Sequence, residues 1–116
     1  VRQRSAAQTQ IRKPSFLDYS DEAYAATNYG DSMQPRYYTG DTLFVDPTLE
    51  AMPNDDVVVM FRLPDRMAGI FREFVSQTDD QIVVKSVASN KPVTLNKADI
   101  YALHVVVGSQ RNRGGG

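Results

Sequence analysis

Between Thr42 and Gly108 the chain is a succession of short β-branched and aromatic runs, each closed by a polar turn, and this spacing most limits the folds open to it. "TLFVD" (42–46), "DVVVMFRL" (56–63), "GIFREFV" (69–75), "QIVVKSVA" (81–88), "PVTL" (92–95) and "IYALHVVVG" (100–108) have strand composition and strand length. In the third run, alternation sets Ile70, Arg72 and Phe74 on one face and Phe71, Glu73 and Val75 on the other. Helical signals are confined to one turn at "SDEAYAA" and one beginning at Ser32. The pattern predicts a mainly β domain, a curled and partly barrel-like sheet. Residues 1–15 are polar and basic and read as a flexible linker or arm; residues 16–112 form the domain; residues 113–116 close a basic tail expected to be disordered.

Charge and composition exclude several functions. Thirteen basic and 14 acidic side chains leave a net charge of −1, whereas a DNA-contacting domain normally carries a basic excess. With no cysteine, disulfides and thiolate chemistry are out, which suits a reducing compartment. A single histidine rules out a His-rich metal site, and no loop shows the acidic spacing of a cation site. No cofactor or metal is therefore expected. No apolar run approaches the ~18 residues a membrane span requires, so no membrane contact is expected. The chain opens at Val1, which reads as a piece of a longer protein.

One segment carries candidate chemistry, "YGDSMQPRYYTGD" (29–41). On one reading, the Asp31 or Ser32 side chain caps a short turn by accepting backbone N–H groups, with Pro35 and Gly40 punctuating the loop. On the other, Ser32 is a nucleophile at the mouth of a turn whose backbone N–H groups form an oxyanion hole. The second reading needs a general base.

The extended stretch "YGDSMQPRYYTGDTLFVDP" resembles the signature of the LexA-like serine–lysine autopeptidases, a family that includes phage repressors. Gly30, Asp31, Ser32, Met33, Pro35, Gly40, Asp41 and Asp46 match it. The likeness continues through "NDDVVVMFRL", "IFREFV", "VVKSVASNKPVTL" and "IYALHVVVGSQRN", covering about Ala23 to Asn112. It implies the family's curled β fold, Ser32 as nucleophile, and a lysine base on the strand that here reads "IFREFV".

That lysine is missing. Matched to the family pattern, "Phe71-Arg72-Glu73-Phe74" puts Arg72 in its place. A desolvated lysine loses its charge and accepts a proton; a guanidinium, with a pKa above ~12, offers no such lone pair. A slip of one residue puts Phe71 or Glu73 at the position instead, and neither restores the mechanism. Lys85 falls outside the catalytic position, and the lone His104 reads as a packed or hydrogen-bonded strand residue. Small-residue bonds of the kind cleaving members cut are represented ahead of the signature only by Ala6-Ala7 and Ala25-Ala26. Ser32 is thus expected to be a vestigial nucleophile.

What the resemblance then implies is assembly: a domain of a bacterial cytoplasmic phage repressor that joins helix-turn-helix units elsewhere in the protein, so that they grip both halves of an operator. The expected pairing surface is the terminal run Leu103, His104, Val105, Val106 and Val107, taken as an open apolar edge, with a central place in the sheet as the alternative reading of the same run. An antirepressor protein would release such a repressor, with Tyr37, Tyr38 and Met67 as candidate anchors. Two alternatives stand beside this: an active autopeptidase of the LexA family that inactivates itself in the SOS response, and a relative of signal peptidase.

Overall fold

The structure, a computed structural model, describes residues 22–112. The linker at 1–15, with Ala6-Ala7, and the tail at 113–116 lie outside the described residues. Seven strands follow in order: β1 (Tyr24–Thr27), β2 (Thr42–Asp46), β3 (Asp56–Arg62), β4 (Met67–Gln77), β5 (Gln81–Lys85), β6 (Pro92–Asn96) and β7 (Ile100–Gln110), with a 3₁₀ turn at Lys97–Asp99 before the last. They form one antiparallel sheet ordered β1-β2-β7-β3-β4-β5-β6. The fold is mainly β, as the sequence predicts. Its sheet remains open, with β1 and β6 as edges.

Three local expectations are corrected. In "SDEAYAA", Tyr24, Ala25 and Ala26 lie in β1, where Ala25 faces Phe44 and Ala26 faces Leu43 across the pair, while Ser20 and Asp21 lie outside the described residues. Cross-strand pairing overrides alanine's weak helical preference. The segment at Ser32 is not a helix either. It is a pair of turns in which Gln34 N–H donates to the Asp31 carbonyl (3.2 Å), and Arg36 and Tyr37 N–H both donate to the Met33 carbonyl (2.8 and 2.9 Å). Finally, β7 is no edge. It lies between β2 and β3, so its backbone ladder is satisfied on both sides and offers no strand to a second copy.

The sheet buries apolar side chains on both faces. On one, Val57, Val59, Phe74, Ile82, Val84 and Val105 pack with Ala51 from the β2–β3 loop. On the other, Leu43, Val45, Val58 and Phe71 pack with Met33, which the signature loop lays over the sheet. Met33 is 1% exposed. Burying such a side chain contributes about 1.5–3 kcal/mol, so Met33 anchors the loop that carries Ser32.

Candidate functional site: the signature loop and its ionic clamp

The turn residues of the signature hold the loop's shape. Gly30 and Gly40 have φ of +85° and +94°, a left-handed backbone that side chains resist. Around them Thr39 Oγ1 donates to the Gly30 carbonyl (2.6 Å), and Asn28 N–H donates to the Asp41 carbonyl (2.8 Å) while its own carbonyl accepts from Gly40 N–H (2.8 Å). The buried Asp41 carboxylate accepts the Tyr38 N–H (2.8 Å) and lies 3.6 Å from Arg111. Asp46 ends β2 by accepting both the N–H and the hydroxyl of Thr48 (2.9 and 2.7 Å). The Gln34–Pro35 peptide is cis. These side chains are turn chemistry.

Ser32 itself is half-buried, and its carbonyl accepts the N–H of Ala88 from the β5–β6 turn (2.9 Å). Among the described residues neither its hydroxyl nor the exposed Asp31 carboxylate makes a hydrogen bond. The side-chain cap expected of them is supplied instead by the carbonyls of Asp31 and Met33.

The strongest electrostatic feature was not anticipated from sequence. Asp56 on β3 and Glu73 on β4 stand directly opposite each other, a like-charge pair that costs stability by itself. Arg36 reaches between them from the signature loop, donating from Nη1 to Asp56 and from Nη2 to Glu73 (3.0 Å). Tyr37, next in the loop, donates its hydroxyl to Asp56 Oδ2 (2.7 Å). Lys85 on β5, opposite Glu73 in the ladder, adds its ammonium at 3.7 Å. Partial burial works against the Arg36 charge, but the two carboxylates outweigh it and raise its pKa above the ordinary value. Burial likewise lifts Asp56 above the usual carboxylate range, reinforced by Glu73 and opposed by Tyr37 and Arg36. Burial, then Asp56, raises the Tyr37 phenol. Three strands and the loop are thereby fastened by one ionic clamp.

Arg72 is not part of this arrangement. It faces Val57 across the β3–β4 ladder, and Val57 belongs to the layer around Phe74; Phe71 faces Val58 and packs with Met33. Because neighbouring strand residues point to opposite faces, Arg72 projects away from the face that the signature loop covers. Its Nη1 donates to the Phe71 carbonyl (2.7 Å), and burial lowers its pKa. Among the described residues no hydrogen bond joins Arg72 to Ser32. The β4 residues on the loop's face are Phe71 and Glu73.

His104 lies on that face too, opposite Val58, where its Nδ1 is 2.8 Å from the Tyr24 hydroxyl and burial lowers its pKa. It is hydrogen-bonded, as expected. Of the remaining terminal-strand residues, Val105 is buried and Leu103, Val106 and Val107 are half-buried. Among the candidate anchors Tyr37 is committed to Asp56, while Tyr38 and Met67 are exposed. Among the described residues no cluster of side chains suits a metal ion, and no helix is long and apolar enough to cross a membrane.

The profile of the Peptidase S24-like family matches residues 2–107. The chain belongs to this family. It is also similar to Repressor protein C of Rhizobium phage 16-3, with 29% identity over 100 residues, covering 81% of this chain and 38% of that protein. The chain therefore spans well under half the length of this relative. Family membership accounts for the signature loop laid over a β-sheet.

Proposed function

We propose that the chain is the assembly domain of a phage or prophage repressor that maintains lysogeny, built on a peptidase fold but not cleaving itself. One observation carries the loss of cleavage: the β4 position matched to the family's lysine base holds Arg72, whose guanidinium offers no lone pair to take a proton. Glu73 is paired with Arg36 at 3.0 Å and lies 3.7 Å from Lys85. The clamp keeps the loop in place for packing, a role that survives without chemistry. Operator DNA is then gripped by helix-turn-helix units elsewhere in the protein, and the near-neutral domain supplies the coupling between copies. An antirepressor would meet exposed side chains such as Tyr38 and Met67.

Incubation of the protein at alkaline pH is expected to give no fragments on a gel. Fragments that disappear in Ser32→Ala would overturn the non-cleaving reading. Assembly is tested by sedimentation of the unmodified domain over a range of concentrations: a mass that stays monomeric throughout removes the assembly role. A charge at Val105 is not a clean test, because that residue is only 5% exposed and the variant would unfold.

A further inference from the structure

We infer that the open edge of β6 pairs antiparallel with the β6 edge of a second copy of the chain, on a two-fold axis at Thr94. Such a pair supplies one surface for the coupling between copies proposed above, and it rests on that reading. The backbone phase decides which groups the edge offers. Lys97 N–H donates to the Asp80 carbonyl (2.9 Å), and these two residues continue the register in which Asn96 faces Gln81. Hydrogen-bonded and non-hydrogen-bonded pairs alternate along an antiparallel ladder. Val93 and Leu95 therefore turn their backbone groups toward β5, and Pro92, Thr94 and Asn96 turn theirs outward. Gln81 fits this phase, since its carbonyl accepts the Thr78 N–H on the β4 side (2.8 Å). Pro92 fits it too, because a residue facing outward needs no N–H for the ladder to β5.

The side chains of this edge are complementary to a copy of themselves. Val93 and Leu95 lie opposite Val84 and Ile82 of the buried apolar layer, yet Val93 is 53% exposed at the end of the sheet. With Thr94 set opposite its own counterpart, Val93 of each copy meets Leu95 of the other and continues that layer across the axis. The two Thr94 residues exchange N–H···O=C bonds, and Asn96 N–H of each copy reaches the Pro92 carbonyl of the other. Opposed apolar and threonine pairs stabilise an antiparallel ladder.

Charge favours the same direction. Lys91 stands beyond the Pro92 end, whereas at the Asn96 end the exposed Asp79, Asp80 and Asp99 outnumber Lys97. Antiparallel pairing brings each basic end to an acidic one, and parallel pairing does not. Lys91 of one copy then faces Lys97 of the other, but among these aspartates. Two strands of five residues make a small contact, so the pairing gains strength between copies already held near each other.

A thiol on the axis tests the register. The full chain has no cysteine, so Thr94→Cys carries a single one. In the two-fold register its Cα lies ~5.5 Å from its counterpart, within disulfide reach. Asn96→Cys, four residues out of step with itself, would be separated by roughly 14 Å. Under oxidised glutathione, Thr94→Cys should give a disulfide-linked dimer on a non-reducing gel well before Asn96→Cys does. Sedimentation equilibrium supplies the second measurement. Thr94→Pro removes an outward N–H and leaves the ladder to β5 whole, and should weaken self-association at least about 10-fold. A proline can disturb its strand, so Val93→Lys, at an exposed position, is measured beside it and should weaken association likewise. Equal disulfide rates, or unchanged association in both folded variants, overturn the inference and leave the assembly reading standing. A wild-type mass that stays monomeric at every concentration sinks the assembly reading, and this edge with it.

Discussion

On one face of the β3–β4 hairpin, Val57, Val59, Ile70 and Phe74 belong to a continuous apolar layer. On the other, Val58 and Phe71 share the surface with Asp56 and Glu73, and the signature loop is held over them by Met33 and Arg36. Both faces are buried, but by different means. The first, which also bears Arg72, is closed mainly by apolar packing. The second combines a hydrophobic anchor with a charge arrangement in which one guanidinium separates two carboxylates that would otherwise repel. The clamp keeps the signature loop attached to this face.

Substitutions on the two faces should separate these means. The largest effect is expected from Phe74→Ala, which empties a 2%-exposed site and should cost about 3–5 kcal/mol of unfolding free energy in urea denaturation. A smaller loss would show that the first face collapses around the gap. Arg36→Ala leaves Asp56 and Glu73 confronted, yet its side chain is 40% exposed, so solvent screening limits the loss to about 1–2 kcal/mol. Neutralising one carboxylate as well, in Arg36→Ala with Glu73→Gln, should recover part of it. If the double variant is no more stable than the single, repulsion is not what Arg36 relieves.

A pH effect should be smaller still. Burial holds the His104 pKa below the ordinary histidine value, so the unfolded chain binds the proton first as pH falls. Stability is then full above that ordinary value and declines as pH drops toward the lowered folded pKa. The melting temperature should fall modestly on acidification across this window, and His104→Gln should reduce that fall. An unchanged slope would mean that the imidazole bonded to Tyr24 is not the group responsible. Least of all, Arg72→Lys should stay within about 0.5 kcal/mol of wild type. A gain of self-cleavage in this variant would show that the guanidinium is what keeps Ser32 inert.

Much of the fold was legible because strands announce themselves by composition. "TLFVD" is β2 without a residue's difference, and the alternation in "GIFREFV" gave the correct division of Ile70, Arg72 and Phe74 from Phe71 and Glu73. What the alternation did not give was which set the signature loop covers. Apolar residues flank "Arg-Glu" on both sides, so the pattern reads equally well after a shift of one residue, and only the packing of Met33 on Phe71 decides it. β1 was read as helical because alanine carries little information against a partner strand some 20 residues away. The position of β7 between β2 and β3 is a long-range pairing that no local signal encodes. The clamp was hidden for the same reason, its partners standing 20 and 37 residues beyond Arg36.

The insertion of β7 between β2 and β3 also sets an order of events during synthesis. The ribosome delivers β2 and β3 one after the other, yet they are separated in the finished sheet by the last strand to emerge. Until Ile100–Gln110 is available, β1–β2 and β3–β6 are two sheet fragments with facing unpaired edges. A nascent chain of this design would therefore close its sheet only after translation of the domain is complete, and any chain truncated before β7 would carry two sticky edges in place of one joined sheet.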